Sequence, residues 1–97
     1  MNNWKAKELT AIVIPTLVGG AIVIIPCVDM GGRSVWNRFD PVTMTWAETL
    51  VTAMVNEVDT ALEAGVKVVF VEEDLGAMPE EDVVDPYIVM QRAGVTP

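Results

Sequence analysis

Apolar positions follow three different patterns along the chain. Over 9–28, LTAIVIPTLVGGAIVIIPCV, they run on for 20 residues without a charge, broken only by threonines, prolines and a Gly-Gly pair. Over 45–64 they recur at intervals of three and four: Ala47, Leu50, Val51, Met54, Val58, Ala61 and Leu62 fall on one stripe, with Glu48, Thr52, Asn56, Asp59 and Glu63 on other faces. That spacing predicts an amphipathic helix. Thr45 and Glu48 have the capping-box spacing at its start, and Gly65 is the expected left-handed stop. The third pattern is the short β-branched run VKVVFV over 66–71, which predicts a strand. A short helix over 86–93 follows from Pro86 in its first turn and Gly94 beyond its end.

The long run admits two readings. As a helix, 20 residues at ~1.5 Å each span ~30 Å, the thickness of a bilayer's hydrocarbon core. Trp4, Lys5 and Lys7 precede it, and Asp29, Arg33, Trp36 and Arg38 follow, so aromatic and basic groups lie near both interfaces. Pro15 and Pro26 fall near its ends. Gly19 and Gly20, at mid-span, would form a smooth helix-packing patch against another helix. The alternative is a soluble α+β domain with a strand pair at 10–25: TAIVI and AIVII are rich in β-branched residues, and PTLVGG is a loop with turn residues. A signal peptide is a third possibility, with Lys5 and Lys7 as its basic region and Gly19-Gly20-Ala21 as the cleavage site. Cleavage there would leave IVIIPCV as an exposed terminus, which argues against it. IIPC is similar to a lipoprotein acylation site but has proline immediately before the cysteine.

The helix reading leads. The expected class is mainly α: a flank at 1–8, a single transmembrane helix at 9–28, a juxtamembrane linker at 29–42 and a small acidic α+β extramembrane tail at 43–97. The strand at 66–71 then lacks an obvious mate within the chain. This favours docking on a partner through Val66, Val68 and Phe70, with Tyr87 and Ile88 as a second apolar contact. In the soluble reading the 10–25 pair supplies the mates.

Glu8, IVIPTLVGGAIVIIPCVD and RSVWNRFDP together resemble the last transmembrane helix of the cytochrome b family of quinol-oxidising complexes. The matching positions are Pro15, Pro26, Asp29, Arg33, Arg38 and Pro41. The resemblance covers about a third of the chain and implies a helix packed at the edge of a respiratory or photosynthetic membrane complex, with a cytoplasmic tail. In that family this helix carries no haem ligand, so no functional residue is carried over.

Charge divides the chain. Of its six basic and 14 acidic residues, four and two precede Asp40; the remainder carries twelve acids against Lys67 and Arg92, for a net charge of −8 overall. Such a tail repels nucleic-acid phosphate and anionic lipid headgroups alike. The chain has no histidine and one cysteine, Cys27. This excludes an internal disulfide, a Cys/His zinc site, histidine-ligated haem and any Ser-His or Cys-His nucleophile. The clusters Glu72-Glu73-Asp74 and Glu80-Glu81-Asp82 have the oxygen ligands of a hard-cation site but no EF-hand spacing, and read as solvated loop. Cys27 reads as an inert apolar residue, with palmitoylation the alternative, and the methionines and tryptophans as packing residues.

No catalytic, cofactor-binding or metal-binding residue is therefore expected, and the chain is not expected to be an enzyme. The leading expectation is a non-catalytic single-pass accessory subunit of an integral membrane assembly, of the electron-transfer kind, whose partners are larger membrane subunits and lipid. The alternative is a small soluble virion or other self-assembling structural protein, of decoration or connector type, whose partners are copies of itself or a capsid protein.

Overall fold

The computed structural model describes residues 4–6, 10–29, 31–72 and 85–95. Six strands and two helices follow one another as β1 (Trp4–Ala6), β2 (Thr10–Pro15), β3 (Ala21–Asp29), β4 (Ser34–Asp40), β5 (Thr45–Thr49), α1 (Val51–Glu63), β6 (Val69–Glu72) and α2 (Pro86–Arg92). The strands form one antiparallel sheet in the order β5-β4-β3-β2-β6, with β1 paired to the far end of β3.

The membrane-spanning helix expected at 9–28 is not formed, and the mainly-α class and the single-pass membrane location fall with it. Those residues are β2, a turn and β3. No helix among the described residues is long and apolar enough to cross a membrane. The physical reason is the position of the two strands. β2 and β3 lie inside the sheet, and each sheet face above and below them is covered by a helix. One face carries Ala11, Val13, Val23, Ile25 and Cys27 under Val89 and Met90 of α2. The other carries Ile12, Ile14 and Ile24 under Met54 and Ala61 of α1. Alternation of polar and apolar residues marks a strand with one wet face; a strand dry on both faces shows an unbroken apolar run, as a bilayer helix does.

The same environment explains the punctuation. Thr16–Gly20 closes the β2–β3 hairpin, with Thr16 N–H donating to Gly20 O at 3.1 Å and Gly19 N–H to Thr16 O at 3.3 Å. Gly19 and Gly20 have φ of +94° and +71°, a region that side chains disfavour, so the pair makes the turn possible. Pro26 sits where β3 changes neighbours. β2 pairs with β3 up to Ile24, and β1 takes over from Cys27, so the missing N–H falls at a break in the ladder.

The helix expected over 45–64 begins instead at Val51. Thr45–Thr49 pairs with β4, and the capping box goes unused. The turn before β5 directs this outcome. Asp40 Oδ1 accepts from Val42 N–H at 2.8 Å and Thr43 N–H at 3.4 Å, folding the chain back onto β4. The far end of α1 closes as the sequence predicts. Gly65 has φ +78°, Gly65 N–H donates to Leu62 O and Val66 N–H to Ala61 O, the paired bonds of a Schellman motif. α1 then delivers the chain to β6 at the opposite edge. β6 spans Val69–Glu72 rather than the expected 66–71, and its mate is β2 of the same chain. α2 matches expectation closely: Asp85 caps it by accepting from Tyr87 N–H at 2.9 Å, and Pro86 occupies its first turn.

Candidate interaction surface

Among the described residues, one side-chain polar contact joins α1 to the sheet. Arg38, in β4, donates from Nε to Oε1 and from Nη2 to Oε2 of Glu57, both at 2.8 Å. Both side chains are about seven-tenths buried. This bidentate pair raises the Arg38 pKa, through the Glu57 hydrogen bonds, over an opposing effect of burial. With Glu57 turned toward β4, Met54 and Ala61 point into the sheet and Val58 is half-buried beside them. The remaining apolar residues of the helix face outward. Val51 is 55 % exposed, Val55 47 % and Leu62 52 %, and Leu50, just before the helix, is 75 % exposed.

This divides the stripe that the sequence presents as one face. Its apolar positions extend around more of the helix than a single sheet contact can cover, and that excess width was the available signal. Val55, one of the outward residues, escaped the pattern altogether. Phe70, on the same sheet face as Ile12, is exposed at the outer edge of β6. The outward flank of α1 points away from Glu57 and β4, toward that edge. Beside the stripe lie Asp59 and Glu63, which make no ion pair among the described residues. The helix N-terminus has no side-chain cap, and its last turn contains no basic residue.

A second exposed apolar group occupies one end of the sheet. The β2–β3 turn carries Leu17 and Val18, and the β4–β5 turn carries Val42 and Met44, all exposed. The two turns meet where a Cβ on Gly20 would lie 3.4 Å from Pro41 Cβ.

The residues singled out from sequence are dispersed. Gly19 and Gly20, expected as a helix-packing patch, are in the hairpin turn. Val66 and Val68 pack half-buried under α1, next to Phe70 in sequence and on the same face. Tyr87 and Ile88 are partly exposed on α2, across the sheet from Phe70; Tyr87 packs edge-on to Phe39 at 6.0 Å, and Phe39 packs on Trp46 at 5.4 Å. The five expected docking residues therefore do not form one surface. Of the two acidic clusters, only Glu72 is among the described residues.

Chemistry-bearing groups are few. Among the described residues no three His, Cys, Asp or Glu side chains come together as a metal site. Cys27 is fully buried, and burial pushes its thiol up to about 12, offset in part by the neighbouring Asn37 side chain. Asn37 is itself buried, and its Nδ2 has no hydrogen-bond partner. A thiol so protonated is a poor nucleophile. No protein family, curated protein or solved structure matches the chain.

Proposed function

We propose that the chain is a non-catalytic structural subunit that assembles with copies of itself or with a shell protein, as a decoration or connector component of a virion or similar particle does. One observation carries this reading. The chain closes both faces of its central strands with its own helices, yet leaves large apolar side chains outward on α1 and on the two hairpin tips. Apolar side chains grouped this way mark protein contact surfaces. The single thiol is buried and protonated, which agrees with a role that needs no chemistry. The acidic balance favours protein partners over nucleic acid. Sedimentation analysis of the purified full chain tests the proposal. A species of defined mass above the 10.5 kDa of one copy is expected, alone or on mixing with a shell protein. A chain that stays monomeric at every concentration, and that no shell protein retains, would refute it.

A further inference from the structure

The outward flank of α1 has a symmetry that identifies an occupant. Val51, Val55 and Leu62 are exposed, and Val58, half-buried against the core under α1, lies at the inner border of the same strip. The four are spaced four, three and four residues apart, a sequence of intervals that reads the same from either end. At ~100° per residue they lie on one strip, between roughly 100° and 160° around the helix from Glu57. The Arg38–Glu57 contact therefore turns the strip away from β4. We propose that this strip packs antiparallel against the same strip of a second copy, across a two-fold axis at the middle of α1. The proposal rests on the assembly reading above and names its partner and its contact.

In that arrangement Val51 meets Leu62 of the second copy, and Val55 meets Val58. An interface of this kind is isologous, each contact occurring twice. Charge selects the antiparallel sense. Asp59 and Glu63 stand on one side of the strip, without ion pairs among the described residues and near the negative end of their own helix dipole. Parallel packing would set each acid beside its own copy. Antiparallel packing puts Asp59 level with Thr52 and Asn56 of the other helix, and Glu63 level with Leu50 of the other helix. There the second α1 begins, its first turn of N–H groups without a side-chain cap. One acid that its own helix disfavours thus faces one helix start that lacks an acceptor, and the two-fold axis repeats the match.

Leu50, Val51, Val55 and Leu62, with Phe70 at the border, expose roughly 400 Å² of side chain per copy, within the range of functional patches on monomers. Doubled, this is about 800 Å² of apolar surface, flanked by Thr52, Asn56, Asp59 and Glu63, the size of a small interface.

The test is sedimentation of the full chain with three exposed substitutions, each checked for unchanged circular dichroism and melting in the monomer range. The wild-type chain is expected at twice 10.5 kDa or a multiple of that dimer. Val55→Asp, at the strip's centre, should weaken self-association by about thirty-fold or more, as a central hot spot does. Glu63→Lys, beside the opposing helix start, should weaken it by about five- to tenfold. Gln91→Ala, exposed on α2 across the sheet from the strip, should leave it unchanged. An assembly that Val55→Asp and Glu63→Lys leave intact overturns this contact while the assembly reading stands. A wild-type chain that binds a shell protein but never itself overturns the second copy as occupant. A chain that does neither overturns both.

Discussion

Ile24 and Ile25 are consecutive residues of β3, both without exposed surface, and they belong to different cores. Ile24 packs with Ile12, Ile14, Met54 and Ala61 beneath α1; Ile25 packs with Val13, Val23, Val89 and Met90 beneath α2. Removing one methylene from either, as Ile24→Val or Ile25→Val, forfeits about 0.8 kcal/mol of transfer free energy. The small void left in a close-packed core adds a few tenths more, so each substitution should cost about 1 kcal/mol. The two side chains share no partner across the sheet. The double variant should therefore lose about 2 kcal/mol, additive within ~0.5 kcal/mol. Urea denaturation gives these values, with unchanged m as the sign that the same surface is exposed on unfolding. In thermal melts each single change should lower Tm by about 4–8 °C. Leu17→Ala, at a fully exposed turn position, serves as the control and should leave stability within ~0.5 kcal/mol. If one of the two isoleucines is silent while its neighbour is costly, one face of β3 is open, and the account of the uncharged run as strands dry on both sides is wrong.

Three further outcomes follow from local geometry. A double-mutant cycle of Arg38→Met and Glu57→Gln should show a coupling of about 1–2 kcal/mol, above the range of exposed pairs because both groups are largely buried and the contact is bidentate; coupling near zero would mean that the pair does not hold α1. Met44 has a φ of +59°, which costs a side chain about 1 kcal/mol or more, so Met44→Gly should raise stability by about 0.5–1 kcal/mol in urea titrations, and a loss would refute the strain. Cys27 has its folded pKa raised to about 12 from 9.0, so the proton is held more tightly in the folded chain; the resulting stability is present below pH 9 and is lost as pH climbs toward 12. Labelling with a disulfide reagent at mildly alkaline pH should accordingly track unfolding, and native labelling as fast as in urea would contradict the burial.

Much of the distal half was legible in its residues because its signals are local. Asp85, Pro86 and Gly94 bracket α2, and Gly65 ends α1, through hydrogen bonds made within one turn of the chain. The uncharged run was ambiguous for a definite reason. Hydropathy reports that residues avoid water, and both a bilayer and a pair of covering helices provide that condition. The choice between them was made by contacts far apart in sequence: β6 on one side of β2, β4 on the far side of β3, and a helix over each face. Thr45–Thr49 went the same way. Its capping-box spacing is a real local signal, but a ready strand partner in β4, brought alongside by the Asp40 turn, outweighed it.

The candidate surface divides along similar lines. That α1 exists, that it is amphipathic and that it ends at Gly65 was determined by the order of residues alone. Which of its apolar residues face the sheet and which face outward was decided by tertiary contacts: Met54 and Ala61 pack on Ile12, Ile14 and Ile24, and Glu57 meets Arg38, nineteen positions away. Composition alone determined that the chain lacks the histidines and second cysteine of common catalytic and metal sites. Only the tertiary structure decided where its greasy segment would hide from water, since burial is a property of what surrounds a strand and not of the strand itself.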